Sequence, residues 1–204
     1  MIRRFVPVFA LLAVVGLAVA DEGKQEKMTR LKVGQPCPTF ANLETADGKR
    51  VSLDDIKSDV LVVCITCNHC PMAVKYEDRI VKWCKNVKEN MGDKVTFVAI
   101  NVNNGEADRL DAMKTRAQEK GFNFVYAYDP SQKIARQLGA TVTPEFFVFN
   151  KERKLVYTGA MDNNADEKKA DKCFLCEAVS HCLNGTPAPE CTKARGCGVQ
   201  YEKN

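Results

Sequence analysis

The chain has 204 residues, 45% of them apolar and 27% charged, with 30 basic side chains against 26 acidic ones. A formal charge of +4 without a concentrated basic stripe argues against a surface built for nucleic acid. Ten cysteines would suit a disulfide scaffold, but the chain is too long and too rich in apolar strands to need bridges for its core, so some of the thiols are expected to be chemical rather than structural.

Residues 1–20 read as an export signal: Arg3 and Arg4 open it, an apolar run follows to Ala20, and Ala-Val-Ala stands before Asp21. The run is short for a transmembrane helix and holds Pro7, which favours a cleaved signal over an anchor. The expected location is therefore periplasmic or extracellular, with no stable membrane insertion after cleavage. Cleavage leaves a net charge of about +2, and an even cysteine count in an oxidising compartment is compatible with five bridges. Residues 21–30 are polar and read as a linker.

Two short extended pieces flank the turn signal Asp47-Gly48. Val60–Thr66, VLVVCIT, is a continuous apolar and β-branched run, as in a strand covered on both faces. Pro71 suits the first turn of a helix running to about Asn90, with Val74, Ile80, Val81, Trp83 and Val87 on its apolar side. A second buried strand is predicted over Val95–Val102 and a helix over Glu106–Lys120, closed by Gly121. A third strand follows over Phe122–Asp129, then a short helix from Pro130 that stops at Gly139. Beyond Thr143-Pro144 come a strand, a turn over Asn150–Lys154, a further strand, and a last helix near residues 166–183. Alternating strands and helices demand parallel pairing with crossover helices, and the hairpin adds an antiparallel edge. Residues 184–204 are turn-rich and read as an irregular tail pinned to the body.

Chemistry concentrates in the loop TCNHCP, where Cys64, Cys67 and Cys70 recur every third residue. A structural zinc site needs four ligands, and the cluster offers these three thiols and His69, of which Cys64 is committed to the strand interior. The redox reading puts Cys67 in the loop leaving a buried strand and Cys70 in the first turn of the next helix. There, free N–H groups and the helix dipole stabilise a thiolate, the attacking species in disulfide exchange. Two intervening residues let the pair close a ring, and His69 between them can stabilise the dithiol form and shift the pair toward oxidant character.

These pieces carry a resemblance. VGQPCPTFANLETADGKRVSL, TCNHCP, VTFVAINV and GATVTPEFFVFNKERKLVYTG together resemble the thioredoxin-like redoxin superfamily (AhpC/TSA, TlpA-like) over roughly residues 31–183. The ending RGCGVQY is similar to the tail of a bacterial subgroup that shares the CNHCP loop. The resemblance implies an α/β, thioredoxin-like three-layer fold: a mixed central sheet with parallel core strands, a terminal β-hairpin and flanking helices. It implies an exported thiol–disulfide oxidoreductase with Cys67 attacking and Cys70 resolving, and Asn68 and His69 tuning the potential. Pro144 would be cis and, with Thr143, would form a substrate-facing lip. Protein thiols or disulfides and a redox partner protein would be its partners. No organic cofactor or metal is called for, because the disulfide itself carries two electrons. Thr66 stands where thioredoxin has tryptophan, and the strand before the loop holds no buried acid; Glu145 is a candidate substitute for that acid but reads first as a solvated strand-end residue. A peroxidase shares the superfamily, but its pattern needs Thr or Ser three residues before the reactive cysteine, where Cys64 and Cys67 stand. A metal-binding module is the other alternative.

The other cysteines divide by context. Cys37, Cys64 and Cys84 read as small buried side chains. For Cys173, Cys176, Cys182, Cys191 and Cys197, the readings are bridges tying the tail to the last helix, a zinc site that would also use His181, or a second exchange pair.

Overall fold

The computed structural model describes residues 28–203. The predicted signal and most of the linker lie outside these residues. Nine strands and four helices alternate in the described chain: β1 Leu43–Thr45, β2 Arg50–Val51, β3 Val60–Thr66, α1 Pro71–Met91, β4 Val95–Asn101, α2 Leu110–Lys120, β5 Val125–Tyr128, α3 Lys133–Leu138, β6 Val142–Thr143, β7 Glu145–Phe149, β8 Leu155–Gly159, α4 Phe174–Asn184 and β9 Cys197–Gly198. Seven strands form one sheet in the order β2-β1-β5-β4-β3-β7-β8. β3, β4 and β5 are parallel, while β1, β2, β7 and β8 run antiparallel to their neighbours. The fold is thioredoxin-like: a mixed sheet with helices on both faces.

The strand β3 explains the layering. Val60, Val62 and Cys64 point into a cluster with Tyr76, Ile80, Cys84 and Val87 of α1, Met113 of α2 and Leu175, Ala178 and Val179 of α4. Leu61, Val63 and Ile65 point the other way, against Ile134, Ala135 and Leu138 of α3. Period-two alternation thus feeds two cores, and each fully buried Val, Leu or Ile contributes about 1.5–3 kcal/mol. Both faces being covered is why the strand reads as an unbroken apolar run. Cys37 and Cys84 join these cores, as expected.

Three boundaries depart from the sequence reading. The last helix begins at Phe174, because the Asp166 side chain caps a separate turn over Glu167–Lys169. α3 begins at Lys133 rather than Pro130: the Asp129 carboxylate accepts from the N–H groups of Ser131 and Ile134, which holds Pro130 and Ser131 in a turn. Glu106–Asp108 is a separate 3-10 turn ahead of α2. The tail is also more ordered than an irregular pin, since β9 pairs antiparallel with β6, Cys197 opposite Thr143. Among the described residues no helix is long and apolar enough to cross a membrane.

Candidate active site

The parallel strand β3 ends at Thr66, and α1 starts at Pro71 with Cys70 as its N-cap. The loop between them is gripped by Asp108, whose side chain is 1% exposed. One carboxylate oxygen accepts the Asn68 N–H at 2.6 Å and the Asn101 side-chain amide at 3.2 Å, and the other pairs with His69 Nδ1. Asn68 is further fixed by Tyr126, whose hydroxyl donates to its Oδ1 at 2.7 Å, and by the Ala107 carbonyl, which accepts from its Nδ2. The two residues between the cysteines are therefore held through their own polar groups. Asp108 and Asn101 were not singled out from sequence; the acid lies about forty positions away, in a segment whose only visible signal was helical charge.

Both sulfurs meet Thr143, the residue before a cis proline. Cys67 Sγ lies 3.2 Å from Thr143 Oγ1, and the Cys70 thiol donates to the Thr143 carbonyl at 3.2 Å. The site therefore brings together Cys67, Asn68, His69, Cys70, Thr143 and Pro144 at one end of the sheet.

The two thiols are not equivalent, and their pKa values shift in opposite directions. Both are buried, Cys67 2% and Cys70 0% exposed, so accessibility does not distinguish them. Burial pushes the Cys67 pKa up to about 11, opposed by the Thr143 hydrogen bond and the Cys70 amide, with the nearby Asp108 charge adding to the rise. An accessible, readily ionised Cys67 is not what the fold provides. Burial also acts to raise Cys70, but hydrogen bonds from the Cys197 side chain, the Ala73 and Cys197 backbone and Thr143 outweigh it, and its pKa falls below the ordinary thiol value. The surroundings explain the difference: on Cys70 the hydrogen bonds, Cys197 foremost, outweigh desolvation, and on Cys67 desolvation outweighs the hydrogen bonds. Cys64 is fully buried, its pKa driven well up by desolvation.

Glu145 is a further correction. It is fully buried, accepts the Thr141 N–H at 2.9 Å and pairs with Arg30. The strand end is not solvated because the N-terminal segment crosses it and supplies the countercharge.

A metal would find Cys67 Sγ, a His69 ring nitrogen and an Asp108 oxygen within 4.8 Å of one another. Both Asp108 oxygens already carry hydrogen bonds, and structural zinc takes four ligands, so this set works as a hydrogen-bond network. The expected bridges from tail to final helix are not formed. Cys173 caps α4 and Cys176 lies one turn on, 5.2 Å between Cα atoms, and these two are joined to each other. Cys182, Cys191 and Cys197 are thiols.

Known proteins agree with this architecture. Residues 32–173 match the Redoxin family. No curated protein matches the chain. An uncharacterized conserved protein from Geobacillus kaustophilus is 33% identical, with 85% of this chain and 94% of that one covered at a TM-score of 0.77. A hypothetical protein from Sinorhizobium meliloti is 27% identical, covering 86% and 98% at 0.78. At the level of fold alone, the chain is similar to the thioredoxin domain of a thiol-disulfide oxidoreductase from Bacteroides vulgatus (17% identity, 61% and 86% covered, TM-score 0.50) and to the peroxidoxin BcpB of Mycobacterium tuberculosis (20%, 62% and 84%, 0.52). The chain belongs to the Redoxin family and is a thioredoxin-fold redox protein.

Proposed function

We propose that this redoxin is an exported thiol–disulfide oxidoreductase whose working couple is Cys67 and Cys70. The observation that carries this reading is the convergence of both sulfurs on Thr143, one on its hydroxyl and one on its carbonyl, beside cis-Pro144. The lowered pKa of Cys70 supports giving it the first attack, on a disulfide of a client protein. Cys67, held protonated by burial and by the Asp108 charge, then resolves the mixed disulfide. Its proton can pass toward the Asp108–His69 pair as it attacks. A cleft of roughly 310 Å³ beside Pro144, lined also by Tyr76, Phe174, Lys193 and Arg195, offers room for a client segment.

Export rests on Arg3, Arg4 and the apolar run to Ala20, and an N-terminal residue of Asp21 in the mature protein would support it. Residues 31–183 act as the redox domain under this reading and 184–204 as its tail. A peroxidase reading loses ground because Cys67, which has the Thr143 hydroxyl at hand, is the thiol that resists ionisation.

Reduction of insulin driven by dithiothreitol tests the proposal. The wild-type chain should accelerate it, Cys70→Ser should lose about 100-fold or more, and Cys67→Ser should be slower than wild type. Rates in both variants equal to wild type would overturn the reading, as would peroxide consumption that outpaces disulfide exchange.

A further inference from the structure

We propose that Cys197 is a third redox thiol of the site, forming a disulfide with Cys70 from a tail strand that occupies the place of a client strand. This inference rests on the reading of Cys67 and Cys70 as a working couple. Its ground is the way the tail is built onto the site. β9 lies antiparallel on β6, and the Cys197 N–H donates to Cys70 Sγ at 3.3 Å. Cys197 packs against the cluster of Cys67, Cys70 and Ala73. The residue before it, Gly196, lies so close to the lip that a Cβ there would fall 1.9 Å from the Thr143 carbonyl oxygen. Only glycine permits that approach.

The docking is held on both sides of Cys197. Upstream, the Thr192 N–H donates to the Thr158 carbonyl and its hydroxyl accepts the Ala160 N–H. Downstream, Gln132, itself 2% exposed, donates to the Gln200 carbonyl at 2.8 Å and accepts the Glu202 N–H at 2.8 Å. Gln200 Nε2 lies 3.2 Å from His69 Nε2, so the tail also touches the residue between the two loop cysteines. A buried glutamine and a glycine contact with no slack make this a built seat. An extended segment adding to an exposed strand edge, its cysteine over the attacking sulfur, is how β-augmentation would deliver a client disulfide.

The chemistry balances with a client disulfide as oxidant. Cys70 thiolate attacks one sulfur of R–S–S–R′ while the tail is displaced; the Cys70–S bond forms, the client bond breaks, and R′–S⁻ leaves and takes a proton. With the tail reseated, Cys197 gives up its proton and attacks Cys70 Sγ, forming the Cys70–Cys197 disulfide and releasing R–S⁻, which is protonated in turn. Two protein thiols lose two electrons and two protons, and the client gains both as two thiols. Cys67 can then attack Cys70, returning Cys197 as a thiol and leaving Cys67–Cys70. The Cys197 proton sits on a hydrogen bond to Cys70, which holds it on the tail thiol until Cys70 has been consumed.

The test uses the full chain, oxidised with a stoichiometric amount of oxidised glutathione, quenched in acid, alkylated and digested with trypsin without reduction. Cys67–Cys70 then appears as a loop within the peptide Ser58–Lys75, and Cys70–Cys197 as a cross-link from that peptide to Gly196–Lys203. The expected result is a cross-link in wild type that rises about tenfold in Cys67→Ser and disappears in Cys70→Ser. Glutathione retained on Cys70 in Cys67→Ser, with no cross-link there or in wild type, would overturn the role of Cys197 while leaving thiol exchange intact. A cross-link that persists in Cys70→Ser would overturn the assignment to Cys70. Full alkylation of all three thiols after exposure to glutathione would overturn both this inference and the function on which it rests.

Discussion

Cys67–Cys70 and Cys173–Cys176 share a spacing, and each places one cysteine at the N-cap of a helix. Their surroundings differ. The first pair leaves a strand buried on both faces, meets a cis-proline lip and lies under the tail. The second opens a helix at the surface, where Cys176 is exposed and Cys173 has no buried strand behind it, and there the two sulfurs are joined as a bridge. The spacing says only that a ring can close; what faces the sulfurs decides whether opening it does chemistry.

The sharpest way to break this comparison is to titrate the thiols. Alkylation of Cys70 in the reduced chain should have a midpoint below pH 9.0 and that of Cys67 one near 11. At neutral pH their rates should then differ by at least about 100-fold, since thiolate fraction falls tenfold per pH unit below the pKa. Equal midpoints would leave the first pair no more activated than any other. The same values set a stability trend with opposite signs. Cys67, raised in the folded state, contributes stability below the ordinary thiol pKa that is lost as pH rises toward 11, and Cys70, lowered, contributes above the ordinary value and loses it as pH falls. Denaturant melts of Cys67→Ala against wild type should therefore converge or cross as pH climbs from 9.0 to 11.

Asp108→Asn should have the next largest effect. It removes the charge that helps hold Cys67 protonated and the partner of His69, so the Cys67 midpoint should fall, with about 1–3 kcal/mol lost in a urea melt. An unchanged midpoint would show that the acid only braces the loop. Gly196→Val should lift the tail from Thr143 and speed tryptic cleavage at Lys193 and Arg195 by about tenfold, with the global melt little changed. The smallest effect falls on the second pair. Cys173→Ser should leave the exchange rate within about twofold and lower stability by about 2 kcal/mol, the loop-closure value of so short a ring. A large loss of exchange there would mean the second pair relays electrons.

Much of this was legible in the chain. The apolar run of β3 and Pro71 after the loop were enough to set the α/β alternation and to place the four loop residues, and the resemblance to redoxins added Thr143 and Pro144. What escaped depends on partners remote in sequence. Glu145 looked solvated because nothing near it in the chain announces Arg30, which reaches it from 115 positions away. Asp108 reads as one more charge on a helix start until the fold turns it under Asn68. The opposite pKa shifts of Cys67 and Cys70 were not legible because they depend on remote partners: Cys197, 127 positions away, hydrogen-bonds Cys70, while burial and the Asp108 charge raise Cys67.

The short pairing of Val142 and Thr143 with Cys197 and Gly198 also bears on how the molecule behaves in a crowd. Without that hem, the rim of β6 would offer bare amides and carbonyls to any neighbouring chain, an invitation to stack copy upon copy. A chain cut at Lys193 should for this reason light-scatter at concentrations where the whole one stays clear.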